Sequence, residues 1–260
     1  MKVAAVQHDI VWEDAAATRA HVAALVAQAA ASGAELVALS EMFATGFSMR
    51  TERIAEAEGG PTEQFLREQA REHRCWVVGS IAQWQDGEGL ARNNAVLAGP
   101  DGQLHRYAKI HPFGYAGEHE YYAAGSDFLT VEVAGIRTSV FVCYDLRFAD
   151  EFWGLAEQTD LYVVVANWPQ ERREHWRALL RARAIENQAY IVGVNRVGTA
   201  KSLTYLGDSA VIDPMGRTLV EASGQETVLI VDVDAAEVAS TRAQFPFLAD
   251  RRRAPVAAVR

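Results

Sequence analysis

Short apolar runs with helical or turn-rich segments between them constrain this chain more than any other feature. Val3 to Gln7, Glu35 to Leu39, Cys75 to Ala82, Thr138 to Val142, Leu161 to Ala166 and Ile191 to Asn195 each read as a buried strand. Helical patterns fall between them. Thr18 to Ala31 is alanine-rich and closed by Gly33, and Pro61 to His73 opens on a proline that a first turn tolerates. Asp150 to Glu157 and Glu171 to Asn187 separate the later strands. Two hairpins break the alternation: Ala95-Val96-Leu97 meets Leu104 to Tyr107 across Gly99-Pro100-Asp101-Gly102, and Ala210-Val211-Ile212 meets Thr218-Leu219-Val220 across Asp213-Pro214-Met215-Gly216. Strand–helix–strand order with added hairpins predicts an α/β fold of mixed sheets with helices outside. No linker, repeat or low-complexity tract divides it, so one domain over 1–260 is expected.

Composition removes several function classes. Against 34 acidic residues stand 25 basic ones, a formal charge of −9, which disfavours nucleic acid or an anionic membrane as partner. A locally positive pocket for an anionic substrate remains compatible with it. No run approaches the ~18 apolar residues of a membrane span, and Met1 to Val6 is too short for a signal sequence. With two cysteines a disulfide scaffold is not expected, and a reducing, cytoplasmic location is.

Reactive groups of open α/β sheets collect at the carboxyl ends of strands. Glu41 follows the run to Leu39, Lys109 follows Leu104 to Ala108, and Cys143 follows Thr138 to Val142. A thiol can attack a carbonyl once a carboxylate has taken its proton. An ammonium and a backbone N–H near Tyr144 can hold the resulting oxyanion, at about 3 kcal/mol each. The product is a thioester, which the same carboxylate can help water to hydrolyse. Each residue alone also fits a core thiol, a surface acid or a solvent-facing lysine. Cys75, inside a strand, reads as a core thiol. None of the seven histidines is forced beside Cys143, and His111 reads as a supporting neighbour of Lys109.

Three segments, in order, carry a resemblance: Leu39-Ser40-Glu41-Met42-Phe43, Tyr107-Ala108-Lys109-Ile110-His111-Pro112-Phe113, and Val142-Cys143-Tyr144-Asp145-Leu146-Arg147-Phe148. They resemble the catalytic segments of the nitrilase (carbon–nitrogen hydrolase) superfamily, and Asn94 to Gly102 and Gly207 to Gly216 resemble its hairpins. Val165-Ala166-Asn167-Trp168-Pro169, His175 to Leu180, Arg183 to Tyr190 and Asn195-Arg196-Val197-Gly198 are similar to its bacterial ω-amidase branch. The resemblance implies a four-layer α-β-β-α sandwich of two mixed sheets, a Glu41–Lys109–Cys143 triad, a homodimer, and no metal or organic cofactor. It implies hydrolysis of the terminal amide of small ω-amido acids such as 2-oxoglutaramate or succinamate. Gly117-Glu118-His119 resembles a segment carrying a second glutamate, so Glu118 is the fourth catalytic candidate, with Glu120 its rival. Ser40 departs from the family's common proline before the glutamate, which loosens the turn.

Tyr144, Trp168, Phe43 and Phe113 lie near the strand ends and are expected to wall a small-molecule pocket. Arg147 is the candidate anchor for a distal carboxylate, with Arg172, Arg173 and His175 as alternatives. Arg183 and Glu186 are spaced to pair on one helix face, and Arg251-Arg252-Arg253 reads as a solvated or dimer-contacting tail. Other carbon–nitrogen hydrolases (nitrilase, N-carbamoyl amidohydrolase, aliphatic amidase) and a non-catalytic binding protein on the same fold remain the alternatives.

Overall fold

A computed structural model describes residues 1–85, 87 and 89–251. Strands β1 (Lys2–Gln7), β2 (Leu36–Ala38), β3 (Glu56–Ala57), β4 (Trp76–Trp84), β5 (Ala91–Ala98) and β6 (Leu104–Ala108) belong to one sheet. Strands β7 (Thr130–Val133), β8 (Ile136–Val142), β9 (Leu161–Ala166), β10 (Tyr190–Asn195), β11 (Val197–Ala200), β12 (Leu203–Ile212) and β13 (Thr218–Ser223) form the second. The chain then returns to the first with β14 (Thr227–Asp232), antiparallel to β1.

Both sheets are mixed. β1, β2 and β4 run parallel at the centre of the first, and β8, β9 and β10 at the centre of the second. Antiparallel β5 and β6 extend one, and β12 with its hairpin partners extends the other. The pleat sends alternate residues of β1 to opposite sides. Val3 and Ala5 enter the core between the sheets, while Ala4 and Val6 pack against helices. This two-sided burial explains the unbroken apolar runs.

Helices α1 (Ala15–Ala31) and α3 (Pro61–His73) cover the first sheet, with the short α2 (Thr51–Ile54) between them. Val22, Val26, Leu66 and Ala70 point into that layer. α4 (Ala149–Leu155) and α5 (Arg173–Asn187) cover the second sheet through Phe152, Trp176, Leu180 and Ala184. α6 (Ala235–Gln244) follows β14. The result is the expected α-β-β-α sandwich. Gly193 on β10 is a packing requirement, since a Cβ there would lie 2.4 Å from Leu180 Cδ1. No helix among the described residues is long and apolar enough to cross a membrane.

Boundaries differ from expectation where side chains cap. α1 starts three residues before Thr18 because Asp14 accepts from Ala17 N at 2.9 Å. Gln170–Arg172 is a separate 3-10 turn, so α5 begins at Arg173 rather than Glu171. Cys75 is buried, and that burial pushes its thiol up to about 11. Arg183 donates to Leu146 O at 2.7 Å and pairs with Glu186 at 2.8 Å, tying α5 to the segment after β8. Arg251 lies over the Trp153 ring at 4.4 Å; Arg252 and Arg253 fall outside the described residues.

Candidate active site

The two sheets bring distant strand ends to one place. After β2 the chain turns through Glu41 to Thr45, with Met42 in the left-handed region at φ 39°. After β8 it turns just as sharply: Cys143 has φ 48° and opens a 3-10 turn, Cys143–Arg147. A non-glycine residue held there costs about 1–3 kcal/mol and persists only when its surroundings fix it. Here the fixing group is Asp145, which is fully buried. Its carboxylate accepts from Val142 N (3.1 Å), Tyr107 Oη (2.8 Å) and His111 N (2.9 Å). His111 also places Nδ1 3.1 Å from Asp145 and stacks on Phe148, so it supports the turn rather than entering the cleft.

Lys109, at the end of β6, sits between two carboxylates. Its Nζ is 2.9 Å from Glu41 Oε1 and 2.8 Å from Glu118 Oε2, and all three side chains are sealed from solvent. Asn93 on β5 bridges the same acids, donating to Glu41 Oε1 at 2.8 Å and Glu118 Oε1 at 3.2 Å. Its own carbonyl takes the Ser80 hydroxyl at 2.8 Å, and Ser80 accepts from Met42 N at 2.7 Å. The other Glu41 oxygen accepts from Asn167 N at 2.8 Å, and the Asn167 amide donates to Glu41 O. Glu120, the rival of Glu118, is exposed.

Burial would lower the Lys109 ammonium, but Glu118, Glu41 and the Cys143 sulfur overcome it and hold the pKa well above the ordinary value. Glu118 is raised by burial and by Glu41, with Lys109 pulling against both. Cys143 is raised well above a normal thiol by burial and by the hydrogen-bonding Glu41 carboxylate, Lys109 again opposing. The resting group is therefore a thiol with a carboxylate in reach, next to a fixed ammonium. Such a set can pass a proton from sulfur to carboxylate while a nucleophile forms.

A cleft opens above the sulfur, with Glu41, Lys109 and Cys143 among its lining. Tyr144, Phe113 and Trp168 line it, with Phe47, Leu203 and Tyr205 in addition. Phe43 does not. It is fully buried under α3, 6.0 Å from Phe65, because the left-handed turn at Met42 swings it into the helix layer. Arg147 lies over the Trp168 ring at 4.7 Å and reaches His175 Nδ1 at 3.2 Å. Arg172 lies over the Phe113 ring at 5.4 Å. Arg173 is taken by Asp208 at 2.7 Å and does not line the cleft. Among the described residues no cluster of three or more His, Cys, Asp or Glu is placed to hold a metal ion.

Asn93, Asn167, Asp145, Phe47 and Tyr205 were not singled out by sequence. Asn167 and Asp145 stand inside the quoted segments, which was the available signal; the rest carry none.

The chain belongs to the carbon–nitrogen hydrolase family, whose profile matches residues 2–243. It is 36% identical over 248 residues to the ω-amidase YafV of Escherichia coli (strain K12), covering 95% of this chain and 94% of that protein. With the 2-oxoglutaramate amidase of Bacillus subtilis it shares 32% over 226 residues, 85% of this chain and 86% of the other. The crystal structure of XC1258 from Xanthomonas campestris, a CN-hydrolase superfamily protein with an arsenic adduct in its active site, superposes with a TM-score of 0.92 at 39% identity over 99% of both chains.

Proposed function

We propose that this chain is an ω-amidase, hydrolysing the terminal amide of short dicarboxylic monoamides of the 2-oxoglutaramate or succinamate type to the dicarboxylate and ammonia. The observation that carries it is Cys143 and the Glu41–Lys109–Glu118 cluster at the floor of a cleft whose wall presents Arg147 with no carboxylate partner among the described residues. Kinship with the ω-amidase and the 2-oxoglutaramate amidase supports it.

Glu41 takes the thiol proton as Cys143 Sγ attacks the amide carbon. The carbonyl oxygen becomes an oxyanion. Lys109 Nζ, which bonds Glu41 Oε1 and both Glu118 oxygens at rest, turns one N–H from Glu118 to that oxygen, beside a backbone N–H of the 143–147 turn. Collapse breaks the C–N bond, Glu41 returns the proton to the leaving nitrogen, and ammonia departs from a thioester. Glu41 then deprotonates water, which attacks the thioester carbon and releases the acid with the thiol restored. Glu118 holds Lys109 and accepts from Phe113 N at 2.5 Å, tying the cleft wall to the cluster. Arg147 binds the distal carboxylate between the Trp168 and Tyr144 rings. The reaction calls on no metal or organic cofactor.

We read the active form as one catalytic domain in a cytoplasmic homodimer. Exposed Ile185 against the turn at Gly216, with exposed Met215 and Leu219 near it, supports an association face.

The test is ammonia release from succinamate by the purified protein and by Cys143→Ala. Release by the first and none by the second is expected. No release by either removes the ω-amide assignment and turns attention to nitriles and N-carbamoyl amino acids.

A further inference from the structure

Two arginines, not one, face the cleft without an acid. Arg147 and Arg172 both line it, both are half-buried, and neither has a carboxylate partner among the described residues. A partly desolvated guanidinium is stabilised by an anion. The neighbouring Arg173 shows the ordinary solution: Asp208 takes it in a two-pronged contact at 2.7 and 3.1 Å.

Arg172 is held rather than loose. Its carbonyl accepts from Trp168 Nε1 at 2.7 Å, and its guanidinium lies 5.4 Å above the Phe113 ring. Trp168 is fixed in turn through its backbone N–H to Asn195 Oδ1 at 2.7 Å. The same indole carries Arg147 on its face. One tryptophan therefore sets both arginines, one on its ring and one at its N–H edge. The charge of Arg172 also reaches Tyr205 on the opposite hairpin: burial pushes that hydroxyl up to about 12, while Arg196 and Arg172 pull against the shift. Phe113, Arg172 and Tyr205 all line the cleft.

We propose that Arg172 is a specificity-determining residue: a second cation that binds the distal carboxylate of the substrate together with Arg147 and selects anionic over uncharged amides. The proposal rests on the ω-amide reading of the site and deepens it. A carboxylate offers enough lone pairs to accept from two guanidinium groups at once. A 2-oxo oxygen beside it adds a further acceptor in the same plane. An amide ending in a methyl group leaves both cations unpaired, which is how a polar pocket rejects the analogue lacking its partner group.

The experiment compares kcat/KM for succinamate with kcat/KM for butyramide, an uncharged amide of the same chain length, in wild type, Arg172→Gln and Arg172→Lys. The ratio within one preparation cancels any loss of folded protein. The succinamate-to-butyramide ratio is expected to fall by about 10- to 100-fold in Arg172→Gln, chiefly through KM for succinamate. Arg172→Lys, which keeps the charge and loses the fork, is expected in between. A ratio in Arg172→Gln within about twofold of wild type overturns the proposal while leaving the ω-amidase reading intact, because a merely structural arginine lowers both activities together. A wild type with no preference for succinamate over butyramide overturns both.

Discussion

Lys109 Nζ lies 2.9 Å from Glu41 Oε1 with both side chains out of contact with solvent. Glu118 Oε2 also lies 2.8 Å from the lysine. Two buried carboxylates so close together are tolerable because the ammonium stands between them.

Lys109→Met should therefore injure stability as well as activity. It leaves two carboxylates facing each other in the interior, at a cost of about 3–5 kcal/mol. In the proposed mechanism it also removes an oxyanion donor, at roughly 10²- to 10³-fold in kcat. Urea unfolding and steady-state ammonia release measure the two separately. Unchanged stability with lost activity would mean that one acid is protonated at rest.

Glu118 and Glu120 stand two residues apart on one 3-10 turn, one buried and the other exposed. Glu118→Gln keeps the side-chain shape and removes the charge that holds Lys109, so kcat should fall by roughly 10- to 100-fold. Glu120→Gln should stay near wild type. Equal effects of the two variants on kcat contradict the assignment.

Cys143 is a thiol at neutral pH, since burial and then Glu41 hold its pKa well above the ordinary value. Its alkylation by iodoacetamide should keep rising as pH passes the ~8.5 at which a free cysteine is half ionised. Lys109→Met removes the positive charge that opposes this rise, and should slow alkylation at pH 9. Cys143→Ala provides the blank, because Cys75 is buried and raised to about 11. A plateau in the neutral range would contradict the electrostatics described above.

His8 is an acid-sensitive point beneath the Glu41 turn. Its Nδ1 lies 2.7 Å from Asp9 O and its Nε2 3.2 Å from the Ser40 hydroxyl, next in sequence to Glu41. Burial lowers its pKa from 6.5 to about 4. The unfolded chain thus binds the proton first as pH drops. The stability due to neutral His8 is complete above pH 6.5 and is lost progressively between 6.5 and 4, by about 3 kcal/mol. Unfolding midpoints of wild type and His8→Gln across that range should converge towards pH 4. Parallel curves would remove His8 as the cause.

Gly193→Ala places a methyl against Leu180 where β10 meets α5. Overpacking of this kind costs about 1–3 kcal/mol. Thermal unfolding should show it with KM for succinamate unchanged, since neither residue lines the cleft.

What was legible in the sequence is what local pattern encodes. Strands of the parallel centres are buried on both sides, so Val3 to Val6 and Leu161 to Ala166 read as unbroken apolar runs. The residues just past such runs, Glu41, Lys109 and Cys143, could be singled out as chemistry before their meeting was known. β14 is not legible in the same way, although Val228 to Val231 is apolar, because nothing local says that it pairs beside β1.

Tertiary structure decided which groups touch. Asn93 and Asn167 hold Glu41 from 52 and 126 residues away, and Asp145 receives Tyr107 across 38. Strand-end position likewise placed Phe43 in the cleft, but the backbone torsion at Met42 put it under a helix and left Phe47 lining the wall. Sequence periodicity reports which residues share a face of one element; it carries no term for a hydrogen bond between elements. Glu41, Lys109 and Cys143 could therefore be picked out from the sequence, whereas the ion pairs of Lys109 with Glu41 and Glu118, and the contacts of Arg147 and Arg172 with Trp168, exist only in the folded chain.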